Sequence, residues 1–186
     1  MINETLSLIS SRRSHRSYEK TPLTEEQLNA LLQAAVESPS AVNRQPWHFT
    51  VVRNQQLLDD MNQAVWEQMM KRDPARRSPR FADPAFHVFY HAPTVIVISG
   101  MPDNPYTPID AGIAVENIAL AAESMGLGSV ILGMPRDAFA GDRAEGFKQA
   151  LQFPEGWEFV IAIAVGVPAD TKEAHPVKDD RISFVD

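Results

Sequence analysis

Cysteine is absent, so the chain can form no disulfide, thiolate nucleophile or thiolate metal site, and any redox chemistry must come from a borrowed cofactor. A long apolar run is missing too. The stretch from Ile109 to Met125 is broken by Asp110, Glu116, Asn117 and Glu123, too short and too polar for a bilayer span. A secretory signal needs a basic start before an uninterrupted apolar segment, whereas Ile2 to Ile9 runs straight into Arg12 and Arg13. A cytoplasmic location with no membrane partner is expected. Basic charge is in short supply: the net charge of -7 and pI near 5.2 argue against a nucleic-acid partner, because such proteins gain most of their affinity by neutralising phosphates. Any basic cluster in this chain therefore needs a local explanation. Repeats, low-complexity tracts and internal linkers are absent as well. With 44% hydrophobic and 22% charged residues, the expectation is one ordinary soluble domain over 1–186.

What is present organises into helices and strands. Ile2, Leu6 and Ile9 fall on one face of a helix that stops at Ser11-Arg12-Arg13-Ser14. Thr24 and Gln27 form a capping-box pattern, Leu23 and Leu28 can staple, and Leu28, Leu31, Leu32 and Ala35 make the apolar stripe of a helix that Pro39 ends. Trp47 to Arg53 alternates as a strand, followed by Leu57, Leu58, Met61 and Val65 at helical spacing behind an Asn54 cap. From Lys71 to Pro93, four prolines among arginines and aromatics predict a mobile connection or short helices outside the core, a candidate lid. Thr94 to Ser99 is a β-branched run, hence a buried strand, and Asp110 to Met125 is a helix apolar on nearly all sides, expected at the centre with Gly126 as its C-terminal cap. Ser129 to Leu132 and Phe159 to Val165 are further buried strands, separated by a helix ending near Leu151. The fold is therefore α+β or α/β. In the polar tail from Pro168 to Asp186, Ile182, Phe184 and Val185 read as a strand-like piece that docks, on a second subunit if not on its own.

Two segments could carry chemistry. Arg12-Arg13-Ser14-His15-Arg16 offers three guanidinium forks, a hydroxyl and turn amides within five residues, and arginine binds phosphate bidentately with charge-assisted bonds. A solvated basic turn is the plainer alternative. The loop Pro39-Ser40-Ala41-Val42-Asn43-Arg44-Gln45-Pro46-Trp47-His48-Phe49 presents amide side chains that can read the edge of a heteroaromatic ring, since each is both donor and acceptor. Its plainer alternative is a proline-bounded turn whose amides satisfy their own backbone.

Taken together the two segments resemble the nitroreductase family: R-R-S-x-R near the N-terminus, then P-S-x-x-N-x-Q-P-W-H-F about 25 residues on. The resemblance continues through Asp110-Ala111-Gly112, the apolar helix with Glu116 and Asn117, Met125-Gly126-Leu127-Gly128-Ser129, Gly133 and the strand ending in Gly166. It implies an α+β, nitroreductase-like fold with a central, mostly antiparallel sheet flanked by helices, an interlocked homodimer, and FMN in the cleft between the subunits. Carried over residue by residue, it implies that Arg12, Arg13, Ser14 and Arg16 hold the phosphate and ribityl chain. Ser40, Asn43 and Gln45, supplied by the partner subunit, would meet the ring and its edge, and Leu132 and Gly133 would give backbone contacts to the ring. Lys178 or Arg181 in the tail would match the family's distal basic residue at the phosphate. The chain departs from longer relatives around Ala85 to Val88, where it lacks the Asn and Lys of their flavin-covering helix.

The resemblance further implies a ping-pong oxidoreductase in which NAD(P)H reduces the flavin and an electron-poor small molecule, such as a nitroaromatic, quinone or enone, takes the electrons. No catalytic side chain is demanded, because the cofactor does the hard chemistry. Alternatives are a flavin-storage protein without turnover, or a branch that consumes its flavin or removes halogen. Other motifs fail. Gly126-Leu127-Gly128 with Gly133 follows a helix and enters a strand, the reverse of a dinucleotide loop. His87 and His91 have the spacing of a zinc pair, but no glutamate follows His87 and no third ligand is evident, so a lid or core role and no metal is expected. Trp66, Phe81, Phe86 and Tyr90 could line a substrate pocket but read more simply as core.

Overall fold

Residues 3–176 and 178–185 are described by the computed structural model; Ile2, expected on the apolar face of the first helix, lies outside them. The element order is α1 (Glu4–Ser11), α2 (Glu25–Val36), β1 (Trp47–Val52), α3 (Gln55–Lys71), β2 (Thr94–Gly100), α4 (Thr107–Ser124), β3 (Gly128–Leu132), α5 (Ala144–Ala150) and β4 (Glu158–Gly166). α1, α2 and α3 begin where side chains satisfy orphan amides. Asn3 Oδ1 accepts from Leu6 N at 2.9 Å and Asn54 Oδ1 from Leu57 N at 3.2 Å. At α2 the expected capping box closes in both directions, Gln27 N to Thr24 Oγ1 at 3.1 Å and Thr24 N to Gln27 Oε1 at 2.9 Å. α4 starts a turn earlier than expected, because Pro108 sits in its first turn where no amide is needed. It ends as expected: Gly126, at φ 71°, lets its own N–H reach Glu123 O and Leu127 N reach Ala122 O, at 3.0 and 2.9 Å.

The four strands lie in the order β1-β2-β4-β3, and all three pairings are antiparallel. Their alternation divides the interior into two cores. Ile96, Ile98, Ile163 and Val165 face α4, with α2 packed behind it. Val95, Val97, Ala162, Ala164, Val130 and Leu132 face α3 and the turn Met134–Ala140. β2 is buried along its whole length, in keeping with the unbroken apolar run Val95–Ile98 between Thr94 and Ser99.

Two expectations need correction. The 71–93 connection does contain short 3-10 turns, at Pro74–Arg76 and Pro79–Ala82, but its second half is core: Phe81, Val88, Phe89 and Ala92 are buried against α3. Trp66, Phe81, Phe86 and Tyr90 form a chain of edge-to-face contacts at 4.8, 5.2 and 5.7 Å, and Trp66 Nε1 donates to Phe86 O at 3.0 Å. Large aromatic area outweighs the proline content. α4, in turn, is central on one side only. Ile109 and Ile113 stay exposed, as do Leu6 and Ile9 on α1, which packs on α4. Among the described residues no helix is long and apolar enough to cross a membrane.

Candidate functional site

The basic cluster is fastened to the sheet. After α1 the chain becomes extended, and Ser14 bridges Ser129 at the start of β3 in parallel, with His15 N donating to Ser129 O at 2.9 Å. Gly128 makes this approach possible, since a Cβ there would lie 2.9 Å from His15 Cγ and from Pro168 Cβ. Arg12 Nε pairs with Glu116 Oε1 of α4 at 3.2 Å. Arg13 Nη1 donates to Ser10 O and Arg12 O at 2.7 and 2.8 Å, while its buried Nε has no partner. Arg16 Nη1 reaches only Ser14 O at 3.2 Å. Of the three guanidinium groups only that of Arg12 pairs with a carboxylate among the described residues, which leaves positive charge suited to a phosphate.

His15 lies inside the quoted motif, yet its role was not legible. Its Nδ1 is 2.7 Å from Asp170 Oδ1, and Asp170 also meets Lys172 Nζ at 2.9 Å and Arg16 N at 3.3 Å. Burial opposes ionisation of Asp170, but the bonds from Lys172, His15 and the Arg16 amide prevail and hold its carboxyl below the ordinary value. Tyr18 donates its hydroxyl to His15 O at 2.8 Å, and burial, then Asp170, raises the phenol far above its ordinary value, so it stays a neutral donor. No sequence signal joins position 15 to 170.

The loop after α2 is held from beneath. Asn117 Nδ2 donates to Ser38 Oγ at 2.8 Å, and the buried Asp110 accepts Ala41 N on both oxygens at 3.2 and 3.3 Å. Val42, Asn43 and Gln45 adopt left-handed φ of 48°, 54° and 48°, a strained run for non-glycine residues, costliest at β-branched Val42. Ser40 Oγ accepts from Gln45 N, and Asn43 Oδ1 from Gln45 Nε2, each at 2.9 Å. The amides do satisfy one another in part, but the side chains of Val42, Asn43 and Gln45 face solvent.

Leu132 is buried at the end of β3 and Gly133 is exposed just beyond it. The Ser14–Ser129 bridge therefore puts the arginine cluster at one end of the strand that leads to Gly133, about 13 Å along at the usual rise per residue. No hydrogen bond among the described residues joins Ser40, Asn43 or Gln45 to this strand or to Arg12–Arg16. The tail leaves the body after Asp170. Lys178 is exposed, Arg181 pairs with its neighbour Asp180 at 3.4 Å, and among the described residues no hydrogen bond or ion pair joins either to the arginine cluster. Ile182, Phe184 and Val185 form no strand, and Phe184 is 90% exposed. Asp59, His87 and His91 offer ligand atoms within 4.8 Å of one another. Phe89 N donates to His87 Nδ1 at 3.2 Å, which assigns the proton to Nε2, facing Asp59 at 3.2 Å; both nitrogens are then engaged.

Fold and site together define an α+β protein with an arginine cluster fastened to the head of a sheet strand and an exposed polar loop after α2. The chain belongs to the nitroreductase family, whose profile, described as "Nitroreductase family", matches residues 9–167. A relative from Archaeoglobus fulgidus, provisionally named an NADH dehydrogenase/NAD(P)H nitroreductase, is 33% identical over 183 residues, 98% of this chain and 95% of its own. The FMN reductase [NAD(P)H] of Bacillus subtilis is 26% identical, covering 94% of this chain and 70% of its own. The crystal structure of a nitroreductase with bound FMN from Desulfitobacterium hafniense shares 34% identity and a TM-score of 0.94, with 100% of both chains covered.

Proposed function

We propose that the protein is an FMN-dependent oxidoreductase that takes electrons from NAD(P)H and delivers them to a small electron-poor acceptor. The observation that carries this reading is the Ser14–Ser129 bridge, which ties a phosphate-seeking arginine cluster to the strand leading to Gly133. Arg12, Arg13, Ser14 and Arg16 would hold the phosphate and sugar chain. The partnerless buried Nε of Arg13 fits an added acceptor there, because a buried donor without a partner costs about 1–3 kcal/mol. Leu132 and Gly133 would give backbone contacts to the ring. When bound, FMN supplies the hydride-accepting and electron-donating chemistry, leaving orientation and charge to the protein.

The active unit in this reading is a homodimer. The exposed apolar stripe of Leu6, Ile9, Ile109 and Ile113 and the bare tail side chains Phe184 and Val185 want a covering surface. The outward-facing Asn43 and Gln45, with the half-buried Ser40 beside them, would then serve the ring bound to the other protomer, and Lys178 or Arg181 would reach a phosphate only once the tail is docked. The purified protein should be yellow, release FMN on denaturation, oxidise NADH or NADPH anaerobically when an acceptor is supplied, and sediment as a dimer. Colourless protein that FMN cannot turn yellow would overturn the assignment. Yellow protein that never oxidises reduced nucleotide would leave a flavin carrier instead of an enzyme.

A further inference from the structure

The molecule is acidic overall, yet one cavity is lined by four arginines. It has a volume near 650 Å³ and lies between the 71–78 segment, the first residues of the Met134–Ala140 turn, and β4 at Val160 and Ile161; Arg72, Arg76, Arg77 and Arg136 line it with a single carboxylate, Asp137. Gly133 is among its lining residues. The arginines differ in what holds them. Arg72 Nη2 is neutralised by Asp137 Oδ1 at 2.7 Å. Arg77 is clamped by two carbonyls, Met70 O at 2.7 Å and Arg72 O at 3.1 Å, which fix its position without cancelling its charge. Arg136 makes one long bond to Val160 O at 3.4 Å. Arg76 has no ion pair or side-chain hydrogen bond among the described residues and is free to swing over the opening.

A solvated lid face would scatter its charges and pair them with nearby acids. Here one guanidinium is pre-positioned, two are uncommitted, and all converge on a cavity large enough for an aromatic or nucleotide fragment. We infer that this cavity is an anion-selecting subsite: it takes a phosphate or carboxylate carried by the molecule that reacts beside Gly133, so the protein prefers anionic substrates to neutral ones of the same shape. This rests on the reading of Gly133 as a contact to the flavin ring.

The test uses Arg76→Gln, Arg136→Gln and the double variant, all substitutions of side chains with little internal bonding. Two matched pairs separate the sources of the anion: NADPH against NADH for a phosphate on the electron donor, and 4-nitrobenzoate against 4-nitrobenzyl alcohol for a carboxylate on the acceptor. The kcat/KM ratio of the more to the less negatively charged member should exceed one in at least one pair. It should fall roughly tenfold per arginine removed, the size of one charge-assisted bond, and shrink as salt is raised. A calorimetric titration with 2′,5′-ADP against 5′-AMP, and with 4-nitrobenzoate, reads the same preference without turnover. Ratios near one in both pairs, or ratios and binding that the substitutions leave unchanged, would overturn the inference. Protein that binds the anions through Arg76 and Arg136 yet takes up no FMN would refute the flavin reading while the anion subsite stands.

Discussion

Replacing Arg12 by alanine removes two interactions of different strength. The first is visible in the protomer: the Nε–Glu116 pair at 3.2 Å, whose side chains are 26% and 43% exposed. A partly solvated pair of this kind contributes about 0–1 kcal/mol. At the usual sensitivity for a domain of this size, the thermal midpoint should drop by no more than about 4 °C. The second is the proposed charge-assisted bond to phosphate, whose loss would cost about 1.5–3 kcal/mol and weaken FMN binding roughly 10- to 150-fold. Affinity should therefore fall much further than stability, and flavin should leak away during purification. Glu116→Gln is the control, because it breaks the same pair while leaving the guanidinium free for phosphate, and it should bind FMN at least as tightly as the parent. The assay is a fluorescence titration of the apo variants with FMN, followed by NADH oxidation at saturation, where most of the turnover should return because the proposed ring contacts, Leu132 and Gly133, are at the far end of β3. An Arg12→Ala protein with parental flavin occupancy would refute the reasoning, and so would turnover that excess FMN cannot restore.

Gly128→Ala places a Cβ 2.9 Å from His15 Cγ and Pro168 Cβ; overpacking of this kind costs about 1–3 kcal/mol, so calorimetry should show a lower midpoint together with weaker FMN binding, and a variant unchanged in both would speak against the fastened segment. Asp110→Ala strands the Ala41 amide that the buried carboxylate now accepts, at a cost of about 1–3 kcal/mol, and hydrogen exchange should quicken selectively over residues 40–45. His87 titrates below its ordinary 6.5, first through burial and then through His91, despite Asp59. Because the unfolded chain takes up that proton more readily, stability should be full above about pH 7 and decline as pH falls through the unfolded value. Urea midpoints from about pH 7.5 to about 5.5 should show this slope and His87→Gln should flatten it, whereas a slope that persists in the variant would assign it to another group.

The local elements were legible in the sequence because the forces that specify them act over three or four residues. The Thr24–Gln27 capping box, the Asn54 cap, the Gly126 terminus and the apolar run Val95–Ile98 of β2 all follow from side chains meeting their own neighbourhood. The two motifs that identify the family are likewise contiguous stretches, so their residues could be named without coordinates. Only the tertiary structure decided which strands pair, in the order β1-β2-β4-β3, and that the arginine segment lies on Ser129. It decided that His15 finds Asp170 155 residues away, a contact with no periodicity to announce it. It moved Phe89 and its neighbours from an expected lid into the core, since burying large aromatic area on α3 outweighs the local signal of prolines. It also gathered Arg72, Arg76, Arg77 and Arg136 around one cavity. In sequence these are arginines of a proline-rich connection and of a distant turn, and they converge because the sheet sets α3 and the Met134–Ala140 turn on its same face.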